Sequence, residues 1–248
     1  MPLPIALQLY TIRETLAQDF AGGVRQIAAM GYKAVETAGF PGTTPTAAGA
    51  LFRELGLLVP SAHVFPPPLG DQVGSVVDTM GAIGCRCVVS GLGPDHFRTL
   101  DDVKRSCDLF NASWAALSAQ GLSLAVHNHW WEFLPVEGRY PYELMLEFLE
   151  PSILFELDTY WIKTAGCDPA TVVREFGARA PLLHIKDGPA TRDAPMVAVG
   201  EGVLDFPAIL EAGKGHTQWL IVELDRCATD MMEAVARSLN YLVRIQEG

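Results

Sequence analysis

Two histidines separated by one residue, His127 and His129, close an apolar run in "LAVHNHWWEF" (124–133), and two tryptophans and Glu132 follow at once. Side chains at i and i+2 share one face of a strand, so both imidazoles point the same way. Imidazole is a neutral nitrogen donor and a base that titrates near neutrality, which suits metal ligation or proton transfer. Comparable interruptions recur in other apolar runs. "KAVET" carries Glu36, "SAHV" carries His63, "ILFELD" ends on Asp158, "LLHIKD" holds His184 and Lys186, and "LIVELD" holds Glu223 and Asp225. A charge buried without a partner is expensive. Ion pairing to basic residues on outer helices explains one such residue easily, but not six run ends together. A divalent cation does, because carboxylates and neutral imidazoles are its natural ligands.

Such residues need elements that bring them to one place. Short apolar runs alternate with helical stretches about eight times along the 248 residues. The runs at 4–9, 33–37, 58–64, 86–90, 122–128, 153–158, 181–186 and 218–224 are predicted strands. Between them, Val103, Cys107, Phe110, Trp114 and Leu117 recur at helical spacing, as do Met232, Val235, Leu239 and Leu242. Leu16, Phe20, Val24 and Ile27 predict a first helix, weakened by Gly22-Gly23. Gly31, Gly56, Gly84 and Gly121 precede strands and suit left-handed helix caps. Strand–helix alternation implies a parallel sheet with right-handed crossovers, and eight units predict a (β/α)₈ TIM barrel over 1–248 as one domain. A doubly wound sheet is the alternative, but no Gly-x-Gly-x-x-Gly follows the first strand. In a barrel the active site lies at the C-terminal strand ends, where these ionisable residues fall.

Composition excludes several classes. The chain is 49% hydrophobic and 19% charged, with a net charge of −11 and no run of lysine or arginine. That argues against nucleic acid and against an anionic membrane surface as partners. No stretch reaches the length of a transmembrane helix, and the opening "MPLPIALQLYTIRE" has too short an apolar run for a secretory signal. Five cysteines without a Cys-x-x-Cys pair fit a reducing compartment, so a cytoplasmic location is expected; Cys85 and Cys87 read as small strand hydrophobes. His96 and His216 read as surface residues, and oligomeric state leaves no signal.

Taken in order, "LQLYTIRETLAQDF", "GYKAVETAGF", "SAHV", "HNHWWEF", "ELDTYW", "LLHIKDG", "VGEGVLDF" and "IVELD" resemble the sugar phosphate isomerase/epimerase family, the xylose isomerase-like TIM barrels, from about Ile5 to Asp225. The resemblance implies one divalent metal at the barrel mouth and a sugar or keto-sugar substrate. The family's metal ligands on strands six, seven and eight match Asp158, His184 and Glu223. At the strand-five position many relatives have Glu-Asn-His where this chain has His127-Asn128-His129. His127 is therefore assigned as the fourth ligand, with His129 or Glu132 as substitutes. In the family's epimerases, glutamates on strands five and eight flank the substrate carbon, and only Glu223 survives here. One abstraction alpha to a metal-polarised carbonyl, through an enediolate, is then expected, with Glu223 or His129 as base and Lys186 holding negative charge.

The resemblance thus implies a metal-dependent sugar isomerase or epimerase. The alternatives are a lyase eliminating from 3-keto-glycosides and a sugar-binding barrel without turnover. Gln8, Glu36, His63, Glu132 and Trp161 are candidate substrate-binding residues. Two nitrogens and two carboxylates suit Mn²⁺ first, then Co²⁺, Fe²⁺ or Zn²⁺, with Mg²⁺ last.

Overall fold

The computed structural model describes residues 2–247. Eight strands form one parallel sheet: β1 Ile5–Gln8, β2 Ala34–Glu36, β3 Ala62–His63, β4 Cys87–Ser90, β5 Ser123–His127, β6 Leu154–Asp158, β7 Leu182–Ile185 and β8 Trp219–Val222. The hydrogen-bonded order is β2-β1-β8-β7-β6-β5-β4-β3, and parallel bridges Ala34↔Leu58 and Thr37↔Ala62 span the remaining seam. The result is a nearly closed TIM barrel with helices between the strands. β3 is the weakest stave, two residues long, where the sequence predicts a strand over 58–64. Pro60 lies in the middle of that run and has no N–H to give a ladder.

Strand alternation sorts the apolar residues into two sets. Leu7, Val35, Val88, Leu124, Val126, Phe155, Leu157, Leu183, Ile185 and Val222 point outward into the large core shared with the helices. Ala6, Ala34, Val89, Ala125, Leu182 and Ile221 form a separate small cluster inside the barrel. That inner cluster is a floor. The next inward residue along β1, β2, β5, β7 and β8 is Gln8, Glu36, His127, His184 and Glu223 respectively.

The helices follow the sequence periodicity with one correction. Helices Leu100–Ser118 and Met231–Glu247 match their patterns. The expected first helix is broken into Arg13–Gln18 and Phe20–Met30, because Asp19 adopts an extended backbone and caps the second piece, accepting from Gly22 N at 2.9 Å. Gly31, Gly56, Gly84 and Gly121 all have positive φ at the helix-to-strand junctions. All five cysteines are free. Among the described residues no helix is long and apolar enough to cross a membrane.

Candidate metal centre

β5 and β6 are held together at their upper ends by Asn128. Its Oδ1 accepts from Asp158 N at 2.9 Å, and its Nδ2 donates to Asp158 O at 3.4 Å. Asp158 divides its two oxygens. Oδ1 caps the helix Thr159–Thr164, accepting from Trp161 N at 2.9 Å, and Oδ2 turns inward, where Lys186 Nζ stands 3.0 Å away. Thr159 Oγ1 donates to His184 O at 3.0 Å and ties this turn to β7.

His127, Asp158, His184 and Glu223 meet at this point, all buried, with one ligand atom from each lying within 4.8 Å of the others. His127 Nε2 is 3.2 Å from His184 Nδ1 and 3.6 Å from Asp158 Oδ2; His184 Nδ1 is 2.9 Å from Glu223 Oε2. Two imidazole nitrogens this close either share a proton or share an ion. Lys186 Nζ stands beside them, 3.0 Å from Asp158 Oδ2, 2.6 Å from Glu223 Oε2 and 3.0 Å from Asp225 Oδ2. Three carboxylates around one ammonium leave an excess of negative charge. That excess and the two-nitrogen, two-oxygen donor set fit one divalent cation.

The charge states follow from position. Burial opposes the charge on Lys186, yet Asp158, Asp225 and Glu223 hold its pKa well above the lysine range. Burial likewise works against the Glu223 carboxylate, but Lys186 and His184 hold it well below the usual carboxylate value. For Asp158 the same contest, led on the lowering side by Lys186, ends at about 2. Burial lowers His127, and lowers His129 further, keeping both neutral. Glu132 has no cation beside it, and burial pushes its carboxyl up to about 8.

A cavity of about 470 Å³ opens above the cluster, lined by His63, His127, His129, Trp161, Lys186, Glu223 and Asp225 below and by Tyr10, Ala38 and Phe65 toward its edge. His129 stacks on Trp131 with ring centroids 4.1 Å apart, and its Nδ1 has no partner. Glu132 lies behind it, with Oε2 accepting from His129 N at 2.8 Å, and does not line the cavity. Gln8 and Glu36 also lie away from the cavity wall. Gln8 Nε2 donates to Glu36 Oε2 at 2.6 Å, and its Oε1 accepts from Tyr10 N at 3.1 Å. His96 and His216 are exposed, as expected.

Sequence reasoning passed over two participants. Glu156, wholly buried, bonds His63 and approaches His184; its signal was the Glu-x-Asp spacing with Asp158, hidden in an apolar run. Tyr10, beyond the end of β1, gave no signal at all.

The family model of the xylose isomerase-like TIM barrels matches residues 24–245. No curated protein sequence matches the chain. Among solved structures, a sugar phosphate isomerase/epimerase from Parabacteroides distasonis is 25% identical, with 97% of this chain and 93% of that one covered at a TM-score of 0.82. The probable 3-DHS dehydratase AsbF from Bacillus anthracis, involved in petrobactin synthesis, is 12% identical, with 97% and 99% covered and a TM-score of 0.78. The IOLI protein with a binding zinc atom is 14% identical, with 99% and 98% covered and a TM-score of 0.77. At those last two identities the likeness is one of fold.

Proposed function

This chain belongs to the xylose isomerase-like TIM barrel family, and from that premise we propose that it is a divalent-metal-dependent isomerase or epimerase of a sugar or keto-sugar. The observation that carries the reading is the convergence of His127, Asp158, His184 and Glu223 directly beneath a cavity of about 470 Å³. The similarity to a sugar phosphate isomerase/epimerase supports the substrate class, and the zinc in the IOLI protein supports the metal. When bound, the cation supplies Lewis-acid polarisation of a substrate carbonyl. Mn²⁺, Co²⁺, Fe²⁺ and Zn²⁺ suit two nitrogen and two oxygen donors better than Mg²⁺ does.

The remaining work falls to side chains. Glu223 is pinned by Lys186 and His184, so it is a weak base and a good ligand. His129 lines the cavity, stands outside the proposed ligand set and is held neutral by burial, and it takes the proton alpha to the carbonyl. Lys186 sits where negative charge develops on oxygen and stabilises it. Trp161 offers an aromatic face to the apolar side of a sugar ring. His127 occupies a ligand position and is no partner base, so one abstraction and return on a single face is favoured over symmetric two-base epimerisation.

A second reading is a lyase acting on 3-keto-glycosides, which also needs only one base. The exposed rings of Tyr10 and Phe65, 43% and 50% accessible at the same cavity, favour it as platforms for an aglycone or second ring.

The test is solvent deuterium exchange alpha to the carbonyl of keto-sugars, with metal analysis alongside. Wild type should exchange and carry metal at the His127, Asp158, His184 and Glu223 centre; Asp158→Ala should lose both, and His129→Gln should keep the metal and lose at least ~100-fold in exchange, within the usual worth of a general base. A wild-type protein that takes up no metal and exchanges no proton would leave a sugar-binding barrel in its place.

A further inference from the structure

Directly under the candidate centre lies a second group of the same kind, which shares His184 with it and adds three residues the proposed reaction does not use. Glu36 from β2, His63 from β3, Glu156 from β6 and His184 from β7 each bring one ligand atom within 4.8 Å of the others. His63 Nε2 is 2.6 Å from Glu156 Oε2 and 3.2 Å from Glu36 Oε2. His184 Nε2 is 2.8 Å from Glu36 Oε2 and 3.0 Å from Glu156 Oε2. The rings of His63 and His184 are parallel, 3° apart in plane and 5.3 Å apart in centroid. Two wholly buried carboxylates therefore present their oxygens to one small space between two imidazoles.

Hydrogen bonding alone serves this group unevenly. Glu36 Oε2 faces three nitrogens, on Gln8, His63 and His184, while Glu36 Oε1 has no partner. Glu156 repeats the pattern, with Oε2 facing two imidazoles and Oε1 bare. Unpartnered carboxylate oxygens in a dry interior are costly, and a cation that takes both oxygens of a carboxylate removes the cost. The space is also reachable, because His63 forms part of the wall of the upper cavity.

We infer that Glu36, His63 and Glu156 form a second divalent-cation site beneath the first, with His184 standing between the two. The two uses of His184 are compatible in protons. Its Nδ1 lone pair faces the upper ligands, and its Nε2–H donates to a carboxylate oxygen of the lower set. The lower ion then has two carboxylates and one neutral imidazole as its own ligands, and His63 gives up only the proton on Nε2. Its donor set again favours a transition metal over Mg²⁺.

The experiment is a Co²⁺ titration of chelator-stripped protein, read by visible absorption and by bound metal after equilibrium dialysis. Wild type should saturate at two equivalents, and Glu156→Gln and Asp158→Asn at one each. One equivalent in wild type, kept in Glu156→Gln and lost in Asp158→Asn, overturns the lower site and leaves the upper centre standing. One equivalent lost in Glu156→Gln and kept in Asp158→Asn supports the lower site and removes the metal from the proposed reaction. Two equivalents in Glu156→Gln place the second ion elsewhere and also overturn the inference. If Glu156→Gln does not fold, His63→Gln at the cavity wall takes its place with the same expected loss of one equivalent.

Discussion

Inside the barrel, the floor and the mouth are built from the same strands two residues apart, and they obey opposite rules. Ala6, Ala34, Ala125, Leu182 and Ile221 fill the floor with side chains that ask nothing of their neighbours except volume. One inward step along each strand stand Gln8, Glu36, His127, His184 and Glu223, none more than 6% exposed. The floor is stable by itself. The mouth is stable only as a set, because each buried charge there depends on a counter-charge from another strand. A barrel can thus spend part of its interior on chemistry while the rest of the same strands keep it folded.

The sharpest way to break this contrast is to move a mouth residue type into the floor. Ala125→Asp places an unpaired carboxylate in the floor, and it should cost about 3–5 kcal/mol or prevent folding, as read by urea denaturation. A loss below about 1 kcal/mol would mean that water already reaches the floor.

Removing a counter-charge from the mouth should cost somewhat less and be repairable. Lys186→Met leaves Asp158, Glu223 and Asp225 facing one another. The metal-free variant should lose about 3 kcal/mol, and saturating divalent metal should return a larger share of Tm to it than it adds to wild type. Equal metal-induced shifts in both proteins would show that Lys186 does not neutralise the ligand carboxylates.

Glu132 gives the smallest effect and the cleanest control, a buried carboxyl beside the mouth with no cation of its own. Burial raises it from 4.5 to about 8, so its favourable contribution is full below pH 4.5 and is lost as pH climbs toward 8. Within that window, a one-unit rise from pH 5 to 6 should cost about 1.4 kcal/mol in wild type. Glu132→Gln should remove that slope. A slope unchanged in the variant would mean that Glu132 is ionised with a hidden partner.

Much of this contrast was legible in the chain itself. Eight apolar runs, six of them interrupted by ionisable residues near their ends, locate the barrel and its mouth, since strand alternation leaves few ways to bury such runs. His127, Asp158, His184 and Glu223 were placed by resemblance and by their positions on four strands, and they converge. The lower layer was illegible for a physical reason. Gln8 and Glu36 read as substrate contacts because a strand-end polar residue can line the cavity or be bonded away from it, as these two are to each other. Which of the two happens is set by barrel stagger that no single strand encodes. Glu156 disappeared inside "ILFELD" because its partners, His63 and His184, lie on strands far away in sequence. The break at Asp19 was missed because helical spacing continues across it, while the Asp19 cap acts only locally.

One feature beside the mouth bears on how this protein can change. Asp187, next to Lys186 but pointing the other way, receives the backbone N–H groups of Gly188, Gly200 and Gly202 at 2.9 Å and of Leu204 at 3.3 Å. A side chain at Gly202 would collide with the Asp187 carboxylate, which is why "VGEGVLDF" has glycine there. Four main-chain N–H groups of the long stretch after β7 therefore converge on one carboxylate. The outward side chains of that stretch, Thr191, Arg192, Glu201 and Val203 among them, carry none of that anchorage. The loop is in this sense an editable surface: its exposed side chains can be rewritten one residue at a time while Asp187 keeps the shape of the main chain.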